Sequence, residues 1–114
     1  MNDSILESVK KLIGGYIYGA AFDSDLIMHI NTVFTILYQL GIGPEEGFAI
    51  EDDSATWSDY ISDVKLLNGV KSYMGSKVRM MFDPPTNSVL ADAINRNIAE
   101  LEWRLNVMVD PGKE

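Results

Sequence analysis

The sequence predicts a mainly α-helical protein of about four helices. It predicts a long antiparallel helical hairpin at the carboxyl end, and a short β-hairpin or extended acidic loop between helices two and three. Three observations carry this. Apolar residues recur at three- and four-residue spacing in four separate stretches. Capping residues open these stretches, and glycine or proline closes them. Between the second and third, residues 44–64 hold seven acidic residues and no basic one, and the helical period lapses.

The first segment, Ser4 to Ile13, opens on Ser4 with Glu7 three positions on, the spacing of a capping box. Ile5, Leu6, Val9, Leu12 and Ile13 form its apolar stripe, and Gly14-Gly15 closes it. Tyr16, Ile17, Tyr18 and Phe22 follow in a loop whose rings are expected against the core. The second helix takes Asp23 or Ser24 as N-cap, with Asp25 favourable at the positive end of the dipole, and runs to about Leu40 ahead of Gly41. Leu26, Ile27, Ile30, Val33, Phe34 and Leu37 share one face. The opposite face, Met28, Thr32, Thr35, Ile36 and Gln39, carries no charge. Such a helix is seldom open to water on any side, so it is either the central helix or one whose back meets another chain.

In the acidic excursion, Phe48-Ala49-Ile50 alternates enough for a short strand. Ser54 or Thr56 is placed to cap a single turn holding Trp57, Tyr60 and Ile61. The third helix begins between Val64 and Val70, because Asn68-Gly69 is also a turn signal, and ends at Phe82 because Pro84 biases Asp83 away from helical angles. Leu67, Val70, Met74, Val78 and Met81 form its stripe. Gly75 within it costs about 1 kcal/mol relative to alanine, which points to a close backbone approach. The fourth helix starts at Thr86, Asn87 or Ser88 and reaches about Met108, spanning about 30 Å. Leu90, Ile94, Ile98, Leu101, Leu105 and Met108 fall in one arc. The short Asp83-Pro84-Pro85 connection makes helices three and four antiparallel neighbours.

Composition removes several function classes. The 114 residues suit one domain, 1–114, with a short tail from about 110 to 114. With no Cys, disulfide scaffolds, thiolate catalysis and Cys-based metal sites are out. A formal charge of -8 disfavours general affinity for nucleic-acid backbone or anionic lipid. Leu26 to Pro44 has no formally charged residue over 19 positions, but its His, Asn, Thr, Gln and Gly content is too polar for a membrane span. No targeting segment is visible, and the protein reads as soluble and intracellular. No cofactor and no metal are expected.

Motifs that invite chemistry have duller readings. Gly41-Ile42-Gly43-Pro44-Glu45-Glu46-Gly47 follows a helix, has the wrong spacing for a phosphate loop, and holds two glutamates that repel phosphate. Glu51-Asp52-Asp53 lacks the alternating ligands of a calcium loop. His29, with Asp25 four residues earlier, is a weak general-base pair and more simply a packing residue. Lys65, Lys71, Lys77 and Arg79 scatter around the third helix; against the acidic loop they suggest charge complementarity within the chain or between copies. Helix four is the most informative. Asp92, Arg96, Glu100 and Arg104 alternate in sign at four-residue spacing, and Trp103 and Val107 lie on that same outer side. A Trp beside arginines is the composition of an interface centre. The candidate protein-contact residues are therefore Met28, Thr32, Ile36 and Gln39 on helix two, with Arg96, Glu100, Trp103, Arg104 and Val107 on helix four. The residues alone predict an interaction protein without a catalytic set.

Several strings in order add a resemblance. They are Phe22-Asp23-Ser24-Asp25, His29-Ile30-Asn31, Gly41-Ile42-Gly43, Ala55-Thr56-Trp57, Lys77-Val78-Arg79, Phe82-Asp83-Pro84-Pro85 and Glu100-Leu101-Glu102-Trp103-Arg104-Leu105-Asn106. From about Ile5 to Val109 the chain resembles the head–tail connector proteins of long-tailed bacteriophages and of prophages in Gram-positive bacteria. Gly14 to Ala21, rich in glycine and tyrosine, departs from the pattern. The resemblance implies a non-enzymatic virion subunit, made in the bacterial cytoplasm, that assembles as a ring, commonly twelvefold, beneath the portal protein at the head–tail junction. Such a ring extends the DNA channel used in packaging and docks the next stopper or tail-completion protein; the genome passes without specific binding, and no membrane is involved. Glu45, Glu46, Glu51, Asp52 and Asp53 become candidates for a channel- or portal-facing loop. The alternative from another class is a small acidic helical regulator that covers a basic protein surface as DNA mimics do, although its carboxylates concentrate in one loop.

Overall fold

In the computed structural model, which describes residues 2–14 and 19–109, the order is α1 (Ile5–Ile13), α2 (Asp23–Gln39), α3 (Trp57–Tyr60), α4 (Val64–Phe82) and α5 (Ser88–Val109). The protein is mainly helical, with no strand among the described residues. The expected four helices are present, and the single turn around Trp57 becomes the fifth. Local caps set several boundaries, those at Ser4, Gly14 and Asn87 among the predicted ones. Ser4 Oγ accepts from the Glu7 N–H at 3.2 Å, and Gly14 ends α1 at φ 73°. The Asp59 carboxylate accepts from the Thr56 N–H at 2.9 Å at the start of α3. Asp63 caps α4 through the Lys65 and Leu66 N–H groups, and Asn87 caps α5 through those of Val89 and Leu90. Asn68-Gly69 is helical, not a turn, because α4 already starts at Val64.

The helix at the centre is α4, not α2 with its uncharged back: α4 packs against α1, α2 and α5. Its two glycines make this possible. A Cβ at Gly69 would meet Leu105 Cδ2 at 3.0 Å, and one at Gly75 would meet Leu12 Cβ at 3.2 Å. Tyr73, which donates to Glu102 on α5 at 2.6 Å, sits about 160° around the helix from Gly75. So α5 and α1 approach α4 from nearly opposite sides. The Tyr73 side chain is fully buried, and Glu102 accepts the hydrogen bond of its hydroxyl. Burial, reinforced by the Glu102 carboxylate, holds the Tyr73 phenol above its usual range.

Four details differ from expectation. No side chain caps α2: its first residue, Asp23, instead accepts from the buried Lys10 Nζ at 3.0 Å and ties α1 to α2. That hydrogen bond raises the Lys10 ammonium pKa. Phe48-Ala49-Ile50 forms no strand; the Asn31 carboxamide accepts from the Ile50 N–H at 2.8 Å and donates to its carbonyl at 3.0 Å, standing in for a neighbouring strand. An isolated antiparallel bridge joins Ser4 to Thr56, with the Ile5 N–H donating to the Ala55 carbonyl at 2.9 Å. On α5 the arc is buried only at Ile98 and Leu105. Leu101 and Ile94 are half-buried, and Leu90 and Met108 are exposed, because α4 is the main element this helix packs on. Tyr16, Ile17 and Tyr18 and the tail 110–114 lie outside the described residues; Phe22 packs edge-on to Phe82, ring centroids 5.5 Å apart. No described helix is long and apolar enough to cross a membrane.

Candidate interaction surfaces

The α2 helix turns Leu26, Ile30, Val33, Phe34 and Leu37 inward, and these are buried. Its back carries Met28, which is 60% exposed, with Thr32, Thr35, Tyr38 and Gln39 exposed and Ile36 half-buried. Thr32 and Thr35 donate their hydroxyls to the carbonyls of Met28 and Asn31, at 3.0 and 3.1 Å, one turn back in the same helix. Their hydroxyl donors are thus used internally, and the face presents mainly methyl and thioether surface. This uncharged helix back faces outward except at Ile36, which packs against the core.

On α5 the outward residues are Arg96, Glu100, Trp103 and Arg104, with Val107 half-buried. Trp103 is 60% exposed. Arg104 Nη2 meets Glu100 Oε1 at 2.8 Å, the one rung of the alternating ladder that closes as an ion pair among the described residues. The two candidate faces do not merge into one site. Both helices pack on α4, and all the candidate residues except the half-buried Ile36 and Val107 are exposed. Asn106, donating to the Leu40 carbonyl at 3.3 Å, links the carboxyl ends of α5 and α2.

Glu45, Glu46, Glu51, Asp52 and Asp53 are all exposed, and among the described residues none lies within 4 Å of a lysine or arginine nitrogen. Their backbone is nevertheless pinned. Ile42 and Ile50 are buried, Asn31 clamps Ile50, and the Phe48 ring packs against those of Phe34 and Tyr60, at 5.0 and 5.1 Å. Gly43 is required there: at φ 98°, a Cβ would come within 2.7 Å of the Tyr60 ring. Ser54 donates to Asp52 from its hydroxyl at 2.6 Å and its N–H at 2.8 Å, which holds the Asp52 carboxyl below its usual range. The result is a fixed backbone that carries exposed carboxylates.

Chemistry-bearing residues do not converge. The His29 ring is half-buried and meets the edge of Phe82 at 6.5 Å, a packing contact. An open cleft of about 370 Å³ beside α1 is lined by Asp3, Glu7, Lys11, Leu12 and Lys71 among others, with both signs of charge. The sequence reading missed Asn31, Lys10 and Glu102, the side chains that fasten loop to helix and helix to helix. A polar residue falling among apolar positions is their only local signal, and it does not name the partner.

No curated protein and no solved structure matches this chain. The phage connector protein family matches residues 5–112. That match starts at the first residue of α1 and continues past the last turn of α5, so the helices, the pinned acidic loop and both uncovered faces lie inside it, and the chain belongs to the phage connector protein family.

Proposed function

We propose that this protein is a structural subunit of a tailed-phage or prophage virion, acting as one domain over 1–114. In this reading it forms a ring beneath the portal, extends the DNA channel and docks the next stopper or tail-completion protein. The observation that carries the proposal is the pair of uncovered helix faces in a chain of the connector family. A closed ring uses two different surfaces of every subunit, one toward each neighbour. The uncharged back of α2, with Met28 and Ile36, and the outer side of α5, with Trp103, supply two such surfaces. The order of contacts, Gly69 to Leu105 and Tyr73 to Glu102, favours an antiparallel α4–α5 hairpin as the rigid wall between them.

The acidic loop fits the same picture. Carboxylates at residues 45–53 lining a channel repel phosphate, so a passing duplex slides without sticking. Because the loop is pinned by Asn31 and Phe48, its backbone holds position as the duplex moves. A DNA-mimic regulator needs carboxylates spaced along a long face, and the clustering in one loop weighs against that alternative. Electron cryomicroscopy of assembled particles tests the proposal. It expects density for this chain between portal and tail, with α2 and α5 at subunit contacts and residues 45–53 at the lumen or the portal. A chain absent from the junction, or a loop on the outer rim, refutes it.

A further inference from the structure

The outer face of α5 has a symmetry that the ring does not require. Val89, Ala93, Arg96, Glu100, Trp103 and Val107 follow one another at alternating four- and three-residue steps, the spacing of a helix–helix seam. All are exposed except the half-buried Val107; Val89 is 74% exposed and Trp103 60%. The core side of α5, at Ile98 and Leu105, is the other side of the helix.

Two such helices laid antiparallel, with the twofold axis beside Ile98, bring together residues equidistant from that position. Arg96 then faces Glu100 of the second copy, and Glu100 its Arg96. Asp92 and Arg104 lie about 60° off the seam, on opposite sides of it, and stay outside this pairing. The apolar positions match as well. Trp103, the largest side chain on the face, comes opposite Ala93, the smallest, and Val107 comes opposite Val89. A parallel pairing instead sets Arg96 on Arg96 and Glu100 on Glu100, so the charge pattern selects one orientation. Within one chain, Glu100 with Arg104 is the only closed pair of the ladder among the described residues, which leaves Arg96 available.

We propose that the free protein pairs with a second copy of itself through an antiparallel, twofold contact between the outer faces of α5. The partner is another copy because the face is self-complementary, and a twofold contact is the one that uses the same patch on both molecules. This does not rest on the ring. It covers the α5 face that a ring neighbour would use, so pairing and ring contact are alternative uses of one surface.

Sedimentation equilibrium on the full chain and its charge-reversed variants tests this. The wild type is expected to move with rising concentration from 12.7 kDa toward twice that mass. Arg96→Glu and Glu100→Arg each set like charges across the axis twice, so each raises the dissociation constant at least about 10-fold. Mixed in equal amounts, the two variants restore both pairs and form a heterodimer more tightly than either forms a homodimer. Trp103→Glu breaks the pair independently of the ladder. All the positions changed are exposed, and circular dichroism checks that helicity persists. A wild type that stays monomeric, or closes into a larger oligomer, overturns the proposal. So does a charge-reversed variant that pairs as the wild type does, or a mixture that fails to combine.

Discussion

Removing the Asn31 carboxamide tests whether one side chain holds the acidic loop in register. In the folded protein it accepts from the Ile50 N–H at 2.8 Å and donates to the Ile50 carbonyl at 3.0 Å, and Ile50 is 2% exposed. Leaving both backbone groups without that partner costs about 1–3 kcal/mol, toward the middle of the range because the site is only partly buried and water reaches part of it. Asn31→Leu keeps the side-chain volume and deletes the hydrogen bonds, so it isolates that cost; we expect a loss of about 2 kcal/mol. Asn31→Asp is a sharper probe. A carboxylate still accepts from the Ile50 N–H, but its second oxygen faces the Ile50 carbonyl and repels it, so the near-isosteric change also destabilises. Urea unfolding, followed by fluorescence of the buried Trp57, gives the free energies, and exchange of the Ile50 amide hydrogen reports the local opening. If both variants stay within about 0.5 kcal/mol of the wild type and the Ile50 amide remains as protected, the clamp does not fasten the loop.

Other consequences are equally direct. Leu105→Ala, at 1% exposure against Gly69, is expected to lower stability by about 2–5 kcal/mol, whereas Trp103→Ala should stay within about 0.5 kcal/mol and impair association instead; equal losses in thermal unfolding would place Trp103 in the core. Gly75→Ala gains about 1 kcal/mol of helix propensity, yet should be net destabilising in urea melts, because the Leu12 Cβ it meets is fixed to the α1 backbone and cannot rotate away. The alkaline limb of stability follows from Tyr60, Tyr73 and Lys10, whose folded-state pKa values are all raised, the phenols by burial and Lys10 by Asp23. Each group holds its proton more tightly when folded, so its contribution is complete below the unfolded-state value and fades as pH climbs through about 10 and above. Tyr73→Phe should flatten that decline in pH-dependent unfolding; an unchanged slope would show that burial of the phenol does not shift it.

Much of the helical framework is legible in the chain because caps and periods are local. Ser4 and Asn87 each accept from backbone N–H groups within four residues, so neighbouring positions suffice to place those starts; Asp63 does the same for α4, whose start the sequence left open between Val64 and Val70. Asp23 shows the limit: a competent cap in sequence, it is taken by Lys10 from another helix. The acidic loop was readable as an excursion, yet its rigidity was not, since Asn31, Phe34 and Tyr60 reach it across many residues. Trp103 and the charge ladder were visible as an outer face because α5 is long enough for its wheel to be unambiguous. The candidate residues of α2 were recognisable by the absence of charge, which does not by itself say whether a face is central or uncovered.

What the sequence alone determined is therefore what is settled within a turn or two: the start of α1 and the ends of α1 and α4, the inward stripes of α2 and α4, the glycine at position 75 as a close approach, and the family resemblance borne by strings in order. The tertiary structure decided which helix lies at the centre, which polar groups find partners, and which apolar surface stays uncovered. Those outcomes depend on contacts between segments far apart in the chain, and a buried Tyr73 or Lys10 is tolerable only because Glu102 or Asp23 arrives from another helix.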